Sequence, residues 1–183
     1  MDSIDHKHFA AIPWCASHLQ GERIITKVPD TRRLKPGEED SLFADTLNSE
    51  RGIVRMLQVY TEPASPTDRI NDLKTFITLG SGLNGYPGIC HGGMVTAILD
   101  DVTGLLVALN HERKTTAAGF SHMTAYLNTR FIKPVQTPAT ILVRAWFSKV
   151  EGRKCFIEGT VEDEGGVVLA KAEALYVQLK SAL

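Results

Sequence analysis

The chain of 183 residues is long enough for one domain with a substantial core and some extra length at an end. With 43% hydrophobic residues, 22% charged residues and a net charge of −1, it has no field to draw nucleic acid or an anionic membrane, so neither is an expected partner. The cysteines Cys15, Cys90 and Cys155 are odd in number and widely spaced, and read as reduced thiols rather than a disulfide frame.

The N-terminal stretch "MDSIDHKHFAAIPWC" carries two acids early and has the character of neither a signal nor a transit peptide. No uninterrupted apolar run approaches the roughly 20 residues of a membrane span. Cytoplasm is the default compartment, with the mitochondrion as the other. Residues 1–50 read as an extension: "DHKHFAAIPWCASHLQ" is expected to form a short amphipathic helix interrupted or restarted at Pro13. "VPDTRRLKPGEEDSLF" is then a loop of Pro, Gly and charges. Nothing in the extension decides among capping a pocket, binding a partner and padding the domain.

Residues 51–183 are expected to form the main domain. "RGIVRMLQVYT" is a candidate strand, and "EPASPTDRIND" a mobile loop with two prolines. "LKTFITLG" sets Leu73, Thr75, Ile77 and Leu79 against Lys74, Phe76 and Thr78, the period of a strand. After the turn "GSGLNGYPG", a helix is expected from about Gly92 to His111. On it Val95, Leu99, Val102, Leu106 and Leu109 share one face. Gly93, Thr96, Asp100, Thr103 and Gly104 form a small, polar stripe, and Ile98, Leu105 and Val107 are apolar between them. A helix apolar over most of its circumference suits a sheet wrapped around it. Four extended segments follow: "SHMTAYLNTRFI", "ATILVRAWFS", "RKCFIEGTVED" and "VVLAKAEALYVQL". The short links between the last three predict an antiparallel meander, and the whole an α+β layout around one helix.

"GICHGGMVTAILDD", residues 88–101, carries the chemistry. A helix's first turn offers free N–H groups and the positive end of the dipole, and glycines there let a carbonyl oxygen come close. Such a site can stabilise the oxyanion formed when an ester or thioester is attacked. Asp100, two turns on and close to the azimuth of Gly93, is placed to act as general base or nucleophile. Asp101 turns away from the glycine stripe and reads as a structural or interface-facing acid.

"GYPGICHGGMVTAILDDVTG" resembles the His-Gly-Gly motif of hotdog-fold acyl-CoA thioesterases, in the branch of the phenylacetate-pathway type and the human thioesterase superfamily members. The nine-residue interval from His91 to Asp100 keeps the motif's spacing. "TAYLNTRFIKPV" and "SKVEGRKCFIEGTVED" look like the family's next strand and hairpin, so the resemblance covers about residues 73–180. The leader "HFAAIPWCASHL" is similar to that of fungal members. The resemblance implies a hotdog fold, a curved antiparallel sheet around one long helix. It also implies a homodimer or dimer of dimers with active sites at the subunit interface. The substrate is then an acyl-CoA, cleaved to a carboxylic acid and CoA. No separate cofactor or metal is implied. By resemblance Gly92 supplies the oxyanion N–H, Gly93 shapes the turn, and Asp100 is the base or nucleophile. His91 helps hold the carbonyl end, and Thr124 positions the water or the facing subunit's acid. Asn84 and Gly85, just ahead of the motif, are candidate substrate contacts, and Arg130, Lys133, Arg153 and Lys154 candidate holders of the CoA phosphates.

Other features are set aside. Cys90 lacks a base to lower its pKa. "GFSHM" at 119–123 lacks the final glycine of a serine-hydrolase elbow. His6 and His8 lack a third metal ligand at recognisable spacing, and Trp14 and Trp146 read as packing residues. Two rival functions remain: a hotdog module that binds acyl-CoA without turnover, and a hotdog hydratase or dehydratase. The retained Asp100 argues against the first and the motif against the second.

Overall fold

The computed structural model describes residues 3–113, 115 and 122–180. Gly119, Phe120 and Ser121 of the elbow-like "GFSHM" lie outside them. The chain opens with α1 (Ile4–Ala10), capped by the Ser3 hydroxyl on the His6 N–H, and α2 (Pro13–Ala16), which starts at Pro13 as expected. Strands β1 (Ile24–Lys27), β2 (Ile53–Thr61) and β3 (Asp72–Leu79) follow, then a small hairpin of β4 (Asn84–Tyr86) and β5 (Ile89–Cys90). Helix α3 (Gly92–Glu112) precedes β6 (His122–Phe131), β7 (Ala139–Glu151), β8 (Lys154–Glu162) and β9 (Val168–Gln178). The helix and six long strands stand where the sequence puts them. Strand β1 was assigned to no element and β4 was read as part of a turn, because each is too short to show a period.

Seven strands form one antiparallel sheet in the order β1-β2-β3-β7-β8-β9-β6. Its inner face closes on α3, whose Ile98, Leu99, Val102 and Leu106 are fully buried. Ala170, Ala172 and Ala174 line the inward row of β9, small enough for the helix to lie close. This is the hotdog architecture, an α+β fold with a curved sheet around one central helix. By length and composition α3 could cross a membrane. The count of uninterrupted apolar residues missed this, because Thr96, Asp100, Asp101 and Thr103 break the run without lowering the average enough. In the fold those apolar residues meet the sheet.

The extension covers the outer face of the sheet. Phe9 is fully buried against Phe76, with ring centroids 5.7 Å apart, and Trp14 packs edge-on to the same ring at 5.3 Å. Strand β3 is therefore buried on both sides, which its alternating pattern did not foretell. Further on, Arg32 is buried and donates to the carbonyls of Phe43 at 3.0 Å and Ile53 at 2.9 Å, and to the Asn48 amide oxygen. That guanidinium gathers the otherwise irregular residues 30–53 into one piece.

The loop between β2 and β3 was expected to be mobile. The structure ties it down instead. The fully buried Asn110 bonds both backbone groups of Ile70 at 2.9 Å, and Arg113 pairs with Glu62 and reaches the Ser65 carbonyl at 3.3 Å.

Candidate active site

His91 begins the site as the N-cap of α3, its Nδ1 accepting the Gly93 N–H at 2.9 Å. An accepting Nδ1 places the ring proton on Nε2. The Met94 N–H is bonded to the His91 carbonyl at 2.9 Å. Among the described residues, that leaves Gly92 as the first-turn amide with no partner. The β4 turn presses on this cap: a Cβ on Gly85 would stand 2.8 Å from the His91 Cα, so only glycine fits. Asn84 bonds the Thr137 hydroxyl and holds its own loop rather than reaching the cap.

Two turns along, Asp100 is fixed on one carboxylate oxygen. Its Oδ1 accepts from the Thr124 hydroxyl at 3.0 Å and from the Tyr176 hydroxyl at 3.0 Å. The same phenol lies 2.8 Å from the Asp100 carbonyl and 2.9 Å from the Thr103 hydroxyl. Burial pushes the Tyr176 pKa up, which keeps it a proton donor. Gly104 lies against that hydroxyl, and a Cβ there would stand 3.4 Å from it. Among the described residues Oδ2 of Asp100 has no hydrogen-bond partner, so one oxygen is oriented and the other is free to react.

Asp100 opens on a cavity of about 510 Å³ on the side of α3 between the two sheet edges. Tyr176, Thr124 and His122 line it from β9 and β6, Gln58 from β2, and Leu105 and Leu109 from the helix. The remaining wall is the N-terminal extension, which contributes Lys27, Thr31 and Lys35 among others. Asp101 faces this wall, accepting from the Thr31 hydroxyl at 3.3 Å. Burial raises its pKa to about 7, only partly offset by that bond. Helical rotation does carry it off the glycine stripe, but both carboxylates reach one cavity.

Of the residues expected from sequence, the chain brings Asp100 and Thr124 together, and within one chain rather than from facing subunits. Gly92, Gly93 and His91 stand apart from them. Eight residues of helix rise separate Gly92 from Asp100 by about 12 Å, so a shared azimuth does not put both on one carbonyl. The basic candidates divide as well. Arg130 and Lys133 are at the end of β6 near Gly92, whose Cβ position is 3.4 Å from the Phe131 ring. Arg153 bonds the Gln178 carbonyl at 2.8 Å and, with Lys154, sits at the opposite end, where Gln178 pairs with His122. Cys90 is buried, and burial raises its pKa to about 11, far from a reactive thiolate. His8 bonds the Thr78 hydroxyl at 2.8 Å. Sequence reading missed Tyr176, although it follows the buried alanines 170, 172 and 174 on the inward row of β9. It also missed Gln58 and the extension wall, for which no local pattern gives a sign.

A hotdog fold carrying an oriented carboxylate beside a cavity has the make-up of a thioester hydrolase. The thioesterase superfamily model matches residues 87–170. Verlamelin biosynthesis protein B of Lecanicillium sp is 31% identical over 199 residues, covering 93% of this chain and 86% of that protein. Acyl-coenzyme A thioesterase THEM4 of Mus musculus is 32% identical over 101 residues, 55% of this chain and 40% of that protein, so the match spans less than half the length of that relative. Among solved structures, a putative phenylacetic acid degradation-related thioesterase from Ralstonia eutropha superposes with a TM-score of 0.51 at 28% identity, covering 58% of this chain and 75% of that one. The chain belongs to the thioesterase superfamily.

Proposed function

We propose that this protein hydrolyses the thioester of an acyl-CoA to a carboxylic acid and CoA, with Asp100 as general base or nucleophile and the Gly92 N–H as oxyanion donor. The observation that carries this reading is the Asp100 carboxylate, anchored through Oδ1 by two hydroxyls with Oδ2 free beside a cavity. As base, Oδ2 takes a proton from water while the water oxygen bonds to the thioester carbon. The carbonyl oxygen gathers negative charge at the Gly92 amide, the C–S bond breaks, and the CoA thiolate takes the proton back from Asp100. As nucleophile, Oδ2 attacks the carbon itself and expels the CoA thiolate, and water then cleaves the resulting anhydride to the carboxylic acid and a free Asp100 carboxylate, its second proton going to the thiolate.

The separation of about 12 Å between Gly92 and Asp100 indicates that one chain does not complete the site. A second copy, related by a two-fold axis, supplies the missing half, with Gly92 of one chain facing Asp100 of the other. Edge strand β6 favours this arrangement. It lies at the end of the sheet, with Met123, Tyr126 and Phe131 exposed at 44%, 41% and 57%.

The test is thiol release from a panel of acyl-CoAs, short, long and aromatic, by wild type and by Asp100→Asn. Turnover that falls by about 10² or more in the variant supports the reading. Binding of acyl-CoA with no release by wild type would replace it with a binding module.

A further inference from the structure

Gln58 lies deep in the wall of the Asp100 cavity. It is 1% exposed, and among the described residues neither its Nε2 nor its Oε1 has a hydrogen-bond partner. Directly opposite it in the β2–β3 register is Thr75, 0% exposed, whose hydroxyl is also without a partner. Both side chains take the inward positions of their strands, between Met56 and Tyr60 on β2 and between Leu73 and Ile77 on β3. Apart from Lys27, the cross-strand neighbour of Gln58 on β1, their neighbours there are apolar core residues, so a donor and two acceptors stand together where hydrocarbon would be expected. Buried polar groups are retained without partners when something else satisfies them. Here the cavity that begins at Asp100 reaches Gln58, and the rest of its lining is polar too, with Thr31 and Lys35 from the extension and Lys27 directly beside Gln58 on β1.

We propose that the acyl group selected by this site carries a hydroxyl along its chain, held by Gln58 with Thr75 beside it; this rests on the hydrolase reading above. A hydroxyl fits Gln58 because it accepts from Nε2 and donates to Oε1. A carboxylate would leave Oε1 unsatisfied, and Lys27, the cation beside Gln58, is already paired with Asp30 at 3.0 Å. An ammonium would leave Nε2 unsatisfied. An unsubstituted chain would strand both polar atoms of Gln58, the situation in which sites discriminate most strongly between analogues.

The experiment compares hydroxyacyl-CoAs, with the hydroxyl moved along the chain, against unsubstituted acyl-CoAs of the same length. It uses wild type and Gln58→Met, a change that keeps the volume and removes both unpaired atoms, so the variant is expected to melt no lower than wild type. For the best hydroxyl position, wild type should favour the hydroxyacyl substrate by about tenfold or more in kcat/KM, and Gln58→Met should bring that ratio close to one while still cleaving the unsubstituted chain. A wild-type ratio of one or less at every position, or a ratio unmoved in Gln58→Met, overturns the proposal. The same ligands are titrated calorimetrically against Asp100→Asn and the Asp100→Asn/Gln58→Met double variant. Absence of turnover in wild type would sink the hydrolase reading alone, and the Kd ratio would still judge the hydroxyl subsite.

Discussion

Asp100 and Asp101 are neighbours in sequence and differ in everything that matters chemically. Asp100 is held by hydroxyls from β6 and β9, and Asp101 by burial against Thr31 of the extension. Tyr176→Phe deletes the phenol oxygen that orients Asp100 and leaves the rest of the ring packed. Activity should fall about tenfold, with stability lowered by about 1 kcal/mol, as read by kcat and by urea unfolding. Asp101 makes a prediction in pH. Its folded pKa of about 7 lies above the ordinary value of 3.8, so between those pH values the folded state binds more protons than the unfolded state. Stability from this group is therefore full below about pH 4, declines as pH rises towards 7, and stays lost above it. Asp101→Asn should remove that slope, so that its melting temperature gains on wild type from pH 4 to pH 7. A constant difference across the range would show that Asp101 does not titrate there.

At the scale of elements, α3 is placed by its ends as much as by its apolar faces. His91 caps the start, and Asn110 fixes the far end by bonding the Ile70 backbone as a neighbouring strand would. Asn110→Ala leaves an N–H and a C=O of Ile70 buried and unpaired, and should cost about 2–4 kcal/mol in denaturant unfolding. Hydrogen exchange should rise first in residues 62–71, because that loop loses its tie to the helix. The helix itself was legible from sequence, since 21 residues with apolar side chains at 3.6-residue spacing have few other solutions. The tie to Ile70 was not, because it joins residues 40 apart and leaves no local pattern.

For the whole molecule, the decisive question is whether the active site is made by one chain or two. A mixing experiment separates the possibilities. Gly92→Pro removes the proposed oxyanion N–H at the first helical position, where proline is tolerated, and Asp100→Asn removes the carboxylate. Each alone should be nearly inactive. If the site joins Gly92 of one copy to Asp100 of another, refolding equal amounts together should restore roughly a quarter of wild-type activity, since half of the dimers are mixed and each has one intact site. A site within one chain would restore nothing. Sedimentation should accordingly give at least twice the chain mass.

The sequence by itself determined the limits of α3 and the long strands, the candidacy of Gly92 and Asp100 and, through the family resemblance its motif carries, the hotdog fold. These depend on periodicity and on a compact motif, information carried within twenty residues at a time. A reading by azimuth alone could not weigh the rise of about 12 Å that separates Gly92 from Asp100, although helix geometry contains it. Nor could the sequence find Tyr176, Gln58 or the wall built by residues 27–40. Only the tertiary structure decided those, because curling the sheet brings β9, β2 and the extension to the same side of α3. Burial then turns ordinary polar residues into a cavity's working surface.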